Sequence, residues 1–126
     1  MDIGAIKPAE ALLEIVHPGT GKELQIRVSL CSIDDERLKR VKRQIQNEQI
    51  NLSKRGKQFD ADKVEANENL LLFTAMTGWE WYGENNFHDA KPPFNQDNVN
   101  KVFAELPWFK DQVRDKVAET KDFFQT

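Results

Sequence analysis

The side chains best suited to nucleophilic or metal chemistry are few in this sequence, which has two histidines and one cysteine. His17 and His88 each lie in a segment typical of a turn or loop, without a cysteine or carboxylate at the spacings of zinc or calcium sites. Cys31 follows an apolar, strand-like run, whereas reactive thiols need an open, electropositive setting. We therefore predict a packed, unreactive thiol and no metal site.

Candidates for acid–base or phosphate chemistry are dispersed along the chain. The 21 Asp and Glu residues are scattered, so no pair can be chosen as general acid and base. No glycine-rich, phosphate-binding loop follows a strand-like run. The sequence therefore predicts a protein that is not an enzyme, with no catalytic residue and no cofactor.

Positive charge is concentrated in segment 37–57, which has eight Lys or Arg and one acidic residue, Glu48. The cations are Arg37, Lys39, Arg40, Lys42, Arg43, Lys54, Arg55 and Lys57. Such a helix could follow the phosphates of a nucleic acid, contact the acidic face of a neighbouring copy, or be a solvated surface. Because no aromatic side chains alternate with the cations for stacking on bases, we favour the solvated surface over a nucleic-acid partner.

Length and composition indicate one soluble domain over residues 1–126. Hydrophobic residues make up 39% and charged residues 31%, and the net charge of −3 argues against a dedicated nucleic-acid-binding protein. A lone cysteine fits a reducing compartment, and the first residues lack the features of a secretion signal. No stretch reaches the length of a membrane span. We therefore expect a cytosolic protein.

Hydrophobic spacing predicts a β-hairpin over residues 10–31. The first strand-like run is apolar from Leu12 to Val16, and turn-forming residues follow at 17–21. From Leu24 to Leu30 every second residue is apolar, which is typical of a half-buried strand. These residues therefore predict two strands around a five-residue loop.

Residues 33–126 show helical spacing in several segments. A basic helix covers 37–57, and a second helix covers 61–77 and is closed by Gly78. A third helix starts after the N-cap Asn95, and Pro107 ends it and begins the last helix. The predicted fold class is mainly α: a small helical domain with an N-terminal β-hairpin.

Aromatic residues are the second notable feature of the chain. All three tryptophans and most of the eight phenylalanines lie between residues 70 and 124. Core packing is the default role of such rings, but we expect a turn at 78–82, where not every ring can be buried. Aromatic anchors at such places are over-represented in protein–protein interfaces. At least one of Trp79, Trp81 and Trp108 is therefore a candidate for partner contact.

The order of motifs in this half resembles the tail assembly chaperones of long-tailed bacteriophages. The resemblance rests on LLLFTAMTGWEW, a loop, and then PPFNQDNVNKVFAELPWFKDQV with a closing DFF. An apolar helix runs into a tryptophan at a turn, a Pro-Phe-Asn helix start follows, and Leu-Pro ends that helix. The similarity covers about 55 residues of ordinary types, although Trp81 and the basic segment 37–57 have no counterpart in the family pattern.

This resemblance implies a helical, phage-encoded protein that binds the tape measure protein in the host cytoplasm and is absent from the mature virion. The family also implies homo-oligomers, possible contact with the tail tube protein, and no membrane partner. The residues predicted to contact a partner are Trp79, Trp81, Phe94, Trp108, Phe109 and Phe124. Two alternatives remain open: a small nucleic-acid-binding regulator that uses segment 37–57, and a structural head–tail or tail component.

Overall fold

The computed structural model describes residues 11–32 and 34–125, with side chains up to residue 119. The described chain contains three strands and four helices in the order ββααβαα. Their bounds are β1 Ala11–Val16, β2 Glu23–Leu30, α1 Glu36–Lys54, α2 Ala61–Ala75, β3 Met76–Trp81, α3 Gln96–Glu105 and α4 Pro107–Gln125. The hairpin expected at the N-terminal end is confirmed by β1 and β2, which pair antiparallel.

The expectation of a mainly α fold is wrong, because a third strand joins the hairpin to make an α+β fold. Strand β3 pairs antiparallel with β2, and the sheet order is β1-β2-β3. The segment that the sequence assigned partly to a helix and partly to a turn is therefore part of the sheet. Segment 33–126 is not wholly helical for the same reason.

The third strand was missed because Gly78 resembles a helix stop. Helix α2 ends at Ala75, two residues earlier than expected, and Met76 already has extended angles, φ −81° and ψ 128°. Among the described glycines, only Gly21 and Gly56 have positive φ, so Gly78 does not act as a left-handed helix cap. It lies within the strand instead, opposite Ser29.

Side-chain direction in β3 is set by its register on β2. Trp79 lies opposite Val28 and Trp81 opposite Ile26, so the two indoles and the two buried aliphatic residues share one face of the sheet. The register shifts next to Ser29. Because β3 is a strand, two residues expected in a turn point into the core side of the sheet.

The helix starts agree with ordinary capping chemistry. Asp35, Asp60 and Asn95 each have extended backbone angles, and their side chains accept hydrogen bonds from N–H groups of the first helical turn of α1, α2 and α3 respectively. Pro107 begins α4, as its missing N–H allows. The predicted roles of Asn95 and Pro107 are therefore confirmed.

The core lies between one face of the sheet and helices α2, α3 and α4. Its most completely buried side chains are Ile15, Val28, Leu30, Val99, Val102, Phe109 and Val113. Helix α1 packs mainly against α2, and Leu38 is its only buried residue. Among the described residues, no helix is both long enough and apolar enough to cross a membrane.

The outer edge of the sheet is held by a side chain from the last helix. The Gln112 amide nitrogen donates to the Val16 carbonyl oxygen over 2.8 Å, and the Val16 N–H donates to the Gln112 carbonyl oxygen over 2.9 Å. Gln112 thus hydrogen-bonds the edge of β1 as a neighbouring strand would. This pair joins the two ends of the described chain.

We expect Gln112→Ala to lower the free energy of unfolding by about 1–2 kcal/mol, because two partly buried hydrogen bonds are lost together. Urea denaturation monitored by circular dichroism would measure this change. Gln46→Ala, an exposed position on α1, is the matched control and should change stability by less than about 0.5 kcal/mol. Equal effects of the two substitutions would show that Gln112 does not hold the strand.

Candidate functional site: an apolar cleft

An apolar cleft of about 440 Å³ opens where the sheet, the loop after β3 and the α3–α4 joint meet. Its lining residues are His17, Pro18, Leu24, Ile26, Trp81, Asn85, Asn86, Phe87, His88, Glu105, Leu106 and Trp108. The volume is within the range of pockets that bind a drug-sized molecule or a few side chains. We call this surface the Trp81–Trp108 cleft.

Two indoles and one buried ring determine the shape of the cleft. Trp81 stacks on Phe109 with ring centroids 6.4 Å apart and planes 18° apart. Trp108 lies 6.2 Å from the same ring at 50°. Phe109 is completely buried, so it supports both tryptophans from behind. The two cleft residues come from β3 and α4 and are 27 positions apart in sequence.

Hydrogen bonds at the rim fix the loop that follows β3. The Lys91 ammonium donates to the Trp81 carbonyl oxygen over 2.9 Å and also to the Gly83 carbonyl oxygen. The Asn85 amide donates to the Leu24 carbonyl oxygen over 2.8 Å. These contacts attach the loop to the ends of β2 and β3, so the loop side of the cleft is held in place.

A polar pair borders the cleft on the helix side. His88 Nε2 lies 2.7 Å from Glu105 Oε2, and both side chains are at least half exposed. The geometry joins the loop to the end of α3. Because both side chains are largely exposed, this contact serves to connect two surface segments.

The Trp81 indole N–H is the one chemical anomaly of the cleft. Trp81 is 8% exposed, and its Nε1 atom is buried without a hydrogen-bond acceptor among the described residues. An unsatisfied buried donor costs about 1–3 kcal/mol. The Trp79 Nε1, in contrast, donates to the Pro92 carbonyl oxygen over 2.9 Å. Trp81 therefore has a buried donor that lacks an acceptor among the described residues.

The six residues predicted to contact a partner are not all brought together. Trp81 and Trp108 line the cleft, whereas Phe109 is fully buried behind them. Trp79 and Phe94 are partly buried, and their rings contact each other at 5.7 Å within the aromatic core. The Phe124 side chain lies outside the described residues. Of the five described, two therefore reach the cleft.

Sequence reasoning missed the aliphatic and loop residues of the cleft. Leu24, Phe87 and Leu106 line it, and all three are only partly buried. Leu106 directly precedes the Pro107 that was predicted to end a helix, and Leu24 was part of a predicted strand. No local pattern distinguishes a residue that lines a cleft from one that is covered, because the distinction depends on which elements meet.

The side chains whose pKa values are shifted lie in hydrogen-bonded networks on the surface, outside the cleft. The pKa of Glu14 is lowered by a hydrogen bond from the Tyr82 hydroxyl and by the Arg27 guanidinium, and the same contact raises the pKa of Tyr82. The Tyr82 ring also lies 5.0 Å from the Arg27 guanidinium carbon. These groups connect β1, β2 and the end of β3 on the exposed side of the sheet.

The cleft is therefore suited to binding apolar groups. It offers flat apolar walls and a hydrated polar rim, and such a combination binds apolar side chains flanked by polar groups. Among the described residues, no three metal-ligating side chains converge. No protein-family model, curated protein or solved structure matches this chain.

Proposed function

We propose that this protein is a phage tail assembly chaperone that binds apolar segments of the tape measure protein in the Trp81–Trp108 cleft. The single observation that carries the proposal is a preformed apolar cleft walled by two tryptophans. Tryptophan is one of the residues enriched among interface hot spots, and fixing its two side-chain torsions on binding costs little conformational entropy. In this role the protein acts without catalysis or a cofactor.

The shape of the cleft supports an apolar protein segment as the ligand. A volume of about 440 Å³ accepts a small number of side chains, and the rim of Asn85, Asn86 and His88 can hydrogen-bond the polar groups beside them. Each copy would therefore cover a short stretch, and many copies would be needed to cover a long protein. That arrangement agrees with the self-association and reversible coating that the family resemblance implies.

The proposal places the protein in the host cytoplasm during tail assembly and leaves it out of the mature virion. Tail tube subunits would displace it from the tape measure protein, since both must cover the same apolar surface. A structural head–tail or tail component would instead remain in purified particles. Mass spectrometry of purified virions therefore separates these two functions.

The first test is co-expression with the tape measure protein from the same genome, and the measurement is the fraction of that protein that stays soluble. We expect wild type to raise this fraction. We expect Trp108→Ala to reduce the apparent affinity at least tenfold, because a hot-spot tryptophan contributes about 2 kcal/mol or more to binding. Isothermal calorimetry with a soluble tape measure fragment would give the affinity.

Tyr82→Ala is the matched control, because Tyr82 is an aromatic residue that is 42% exposed and does not line the cleft. It should leave the soluble fraction unchanged. Circular dichroism would verify that both variants are folded. An equal loss for both variants, or no gain in solubility with wild type, would contradict the proposal.

A further inference from the structure

The outward face of α1 carries an uncompensated positive charge that the cleft does not use. Helix α1 has six Lys or Arg and two Glu, a net charge of +4 in a chain whose total is −3. Among the described residues, no carboxylate lies within ion-pair distance of Lys39, Arg40, Arg43 or Lys54. All four side chains are exposed. Neighbouring acidic residues therefore do not neutralise this face.

Helical spacing places these cations on the side away from α2. The inward stripe of α1 consists of Leu38, Val41, Ile45 and Leu52, which are at least partly buried. Lys39 and Arg43 are four residues apart, and Lys54 follows eleven residues after Arg43, which is three turns. From Lys39 to Lys54 the helix extends about 22 Å. We call this surface the basic face.

Amide side chains accompany the arginines on the same side of the helix. Arg40, Arg43, Gln44, Asn47 and Asn51 line one shallow depression of about 350 Å³, together with Glu48. Arginine is the usual hydrogen-bonding partner of guanine, and asparagine or glutamine of adenine, when a helix lies in the major groove. These residue types combine phosphate attraction with groups that can hydrogen-bond to base edges.

The position of α1 in the fold leaves room for a large ligand. Helix α1 packs mainly against α2, and within residues 11–32 and 34–125 no strand or other helix packs extensively against its outer side. A helix with side chains is about 10–12 Å wide, and the major groove is about 12 Å wide. The sequence alone favoured a solvated surface, but the uncompensated charge and the open position of α1 change that interpretation.

We propose that the basic face binds duplex nucleic acid through its phosphates, with α1 in or along the major groove. This site is separate from the Trp81–Trp108 cleft and does not depend on what the cleft binds. An acidic polypeptide would complement the charge equally well, but adenine edges, which place a donor beside an acceptor, match both ends of the Gln44, Asn47 and Asn51 amides next to the arginines. The duplex is therefore the ligand that accounts for both sets of side chains.

The test is fluorescence anisotropy of the full chain with a labelled 20-base-pair duplex DNA at several salt concentrations. Four phosphate contacts predict a slope of log affinity against log salt of about −3.6 for duplex DNA. The affinity should then fall roughly 150-fold between 50 and 200 mM salt. Lys39→Gln with Arg43→Gln should reduce the slope to about −1.8, because two contacts are lost.

The control is Lys22→Gln with Lys101→Gln, which makes the same change in net charge at two exposed positions away from α1. It should leave both the affinity and the slope unchanged. Absence of binding, or an equal loss for both double variants, would overturn the proposal. Tighter binding of a single strand of the same length, or of polyglutamate, would also overturn it, and the second result would assign the face to an acidic protein.

Discussion

Phe109→Ala should be the most destabilising single substitution in the core, with a loss of about 3–5 kcal/mol in the free energy of unfolding. Phe109 is completely buried, and its ring contacts Trp79, Trp81, Phe103 and Trp108. Removing it leaves a cavity behind both walls of the cleft, so the aromatic cluster loses contacts on several sides. Urea denaturation followed by tryptophan fluorescence would measure the loss.

A smaller change keeps this prediction testable if the alanine variant does not fold. Phe109→Leu retains part of the ring volume and should cost less than half as much as Phe109→Ala. Leu12→Ala is the surface control, because Leu12 is 59% exposed, and it should cost less than about 0.5 kcal/mol. A Phe109→Ala variant as stable as the Leu12 variant would show that the ring does not hold the core together.

Glu68→Gln should lower the free energy of unfolding by about 1–2 kcal/mol at neutral pH. One Glu68 carboxylate oxygen accepts from Arg114 over 2.7 Å and from Lys110 over 2.9 Å, which joins α2 to α4. The Lys110 side chain is only 11% exposed, so the substitution leaves its ammonium group without an anion in a poorly hydrated place. The expected loss of stability is modest because the Glu68 side chain is 40% exposed and water screens its ion pairs.

The contribution of Glu68 should depend on pH in a defined direction. Hydrogen bonds from Arg114 and then from Lys110 hold the pKa of Glu68 below its ordinary value of 4.5. A carboxylate with a lowered pKa in the folded state stabilises the protein above its unfolded pKa, and this is lost as pH falls through the folded pKa. The stability difference between wild type and Glu68→Gln should therefore be constant from pH 6 to 8 and shrink below about pH 4.5.

The control for Glu68 is Glu119→Gln, which removes an exposed carboxylate of α4 whose partner, Lys116, is less buried than Lys110. Glu119 Oε1 lies 3.5 Å from Lys116 Nζ, and the Glu119 side chain is 72% exposed. The substitution should therefore change the free energy of unfolding by close to zero at every pH. Urea denaturation at several pH values would compare the three proteins. If the stability difference between wild type and Glu68→Gln were the same at pH 3 as at pH 7, the ionic origin of this contact would be contradicted.

Local patterns in the sequence were sufficient to predict the hairpin and the helix starts. Leu24 to Leu30 alternates strictly, and Asn95 and Pro107 have side chains or a ring that act within one turn of their own position. Such features depend on neighbours in sequence and need no knowledge of the tertiary fold. The third strand depends on β2, which lies about fifty residues earlier in the chain, and Gly78 beside Thr77 gave a competing local signal.

The candidate site was predicted only in part, for a related physical reason. A tryptophan is recognisable as an anchor from its type alone, so Trp81 and Trp108 were selected. Trp79 and Phe109 have the same types of side chain, but Phe109 is completely buried, and Trp79 packs against Phe94 outside the cleft lining. Whether a ring is a wall of a cleft or part of the core is decided by packing, and packing is not visible in the composition of a segment.

The hydrogen-bonded pair of Val16 and Gln112 has a consequence for the order in which a newly made chain can fold. The strands β1 and β2 pair residues at most 19 positions apart, so they can meet early, but a two-stranded hairpin is marginal by itself. The side chain that covers the β1 edge is made 96 residues after Val16. During synthesis the β1 edge therefore stays open until residue 112 has been made. The open strand edge is the surface most exposed to wrong strand pairing in that interval.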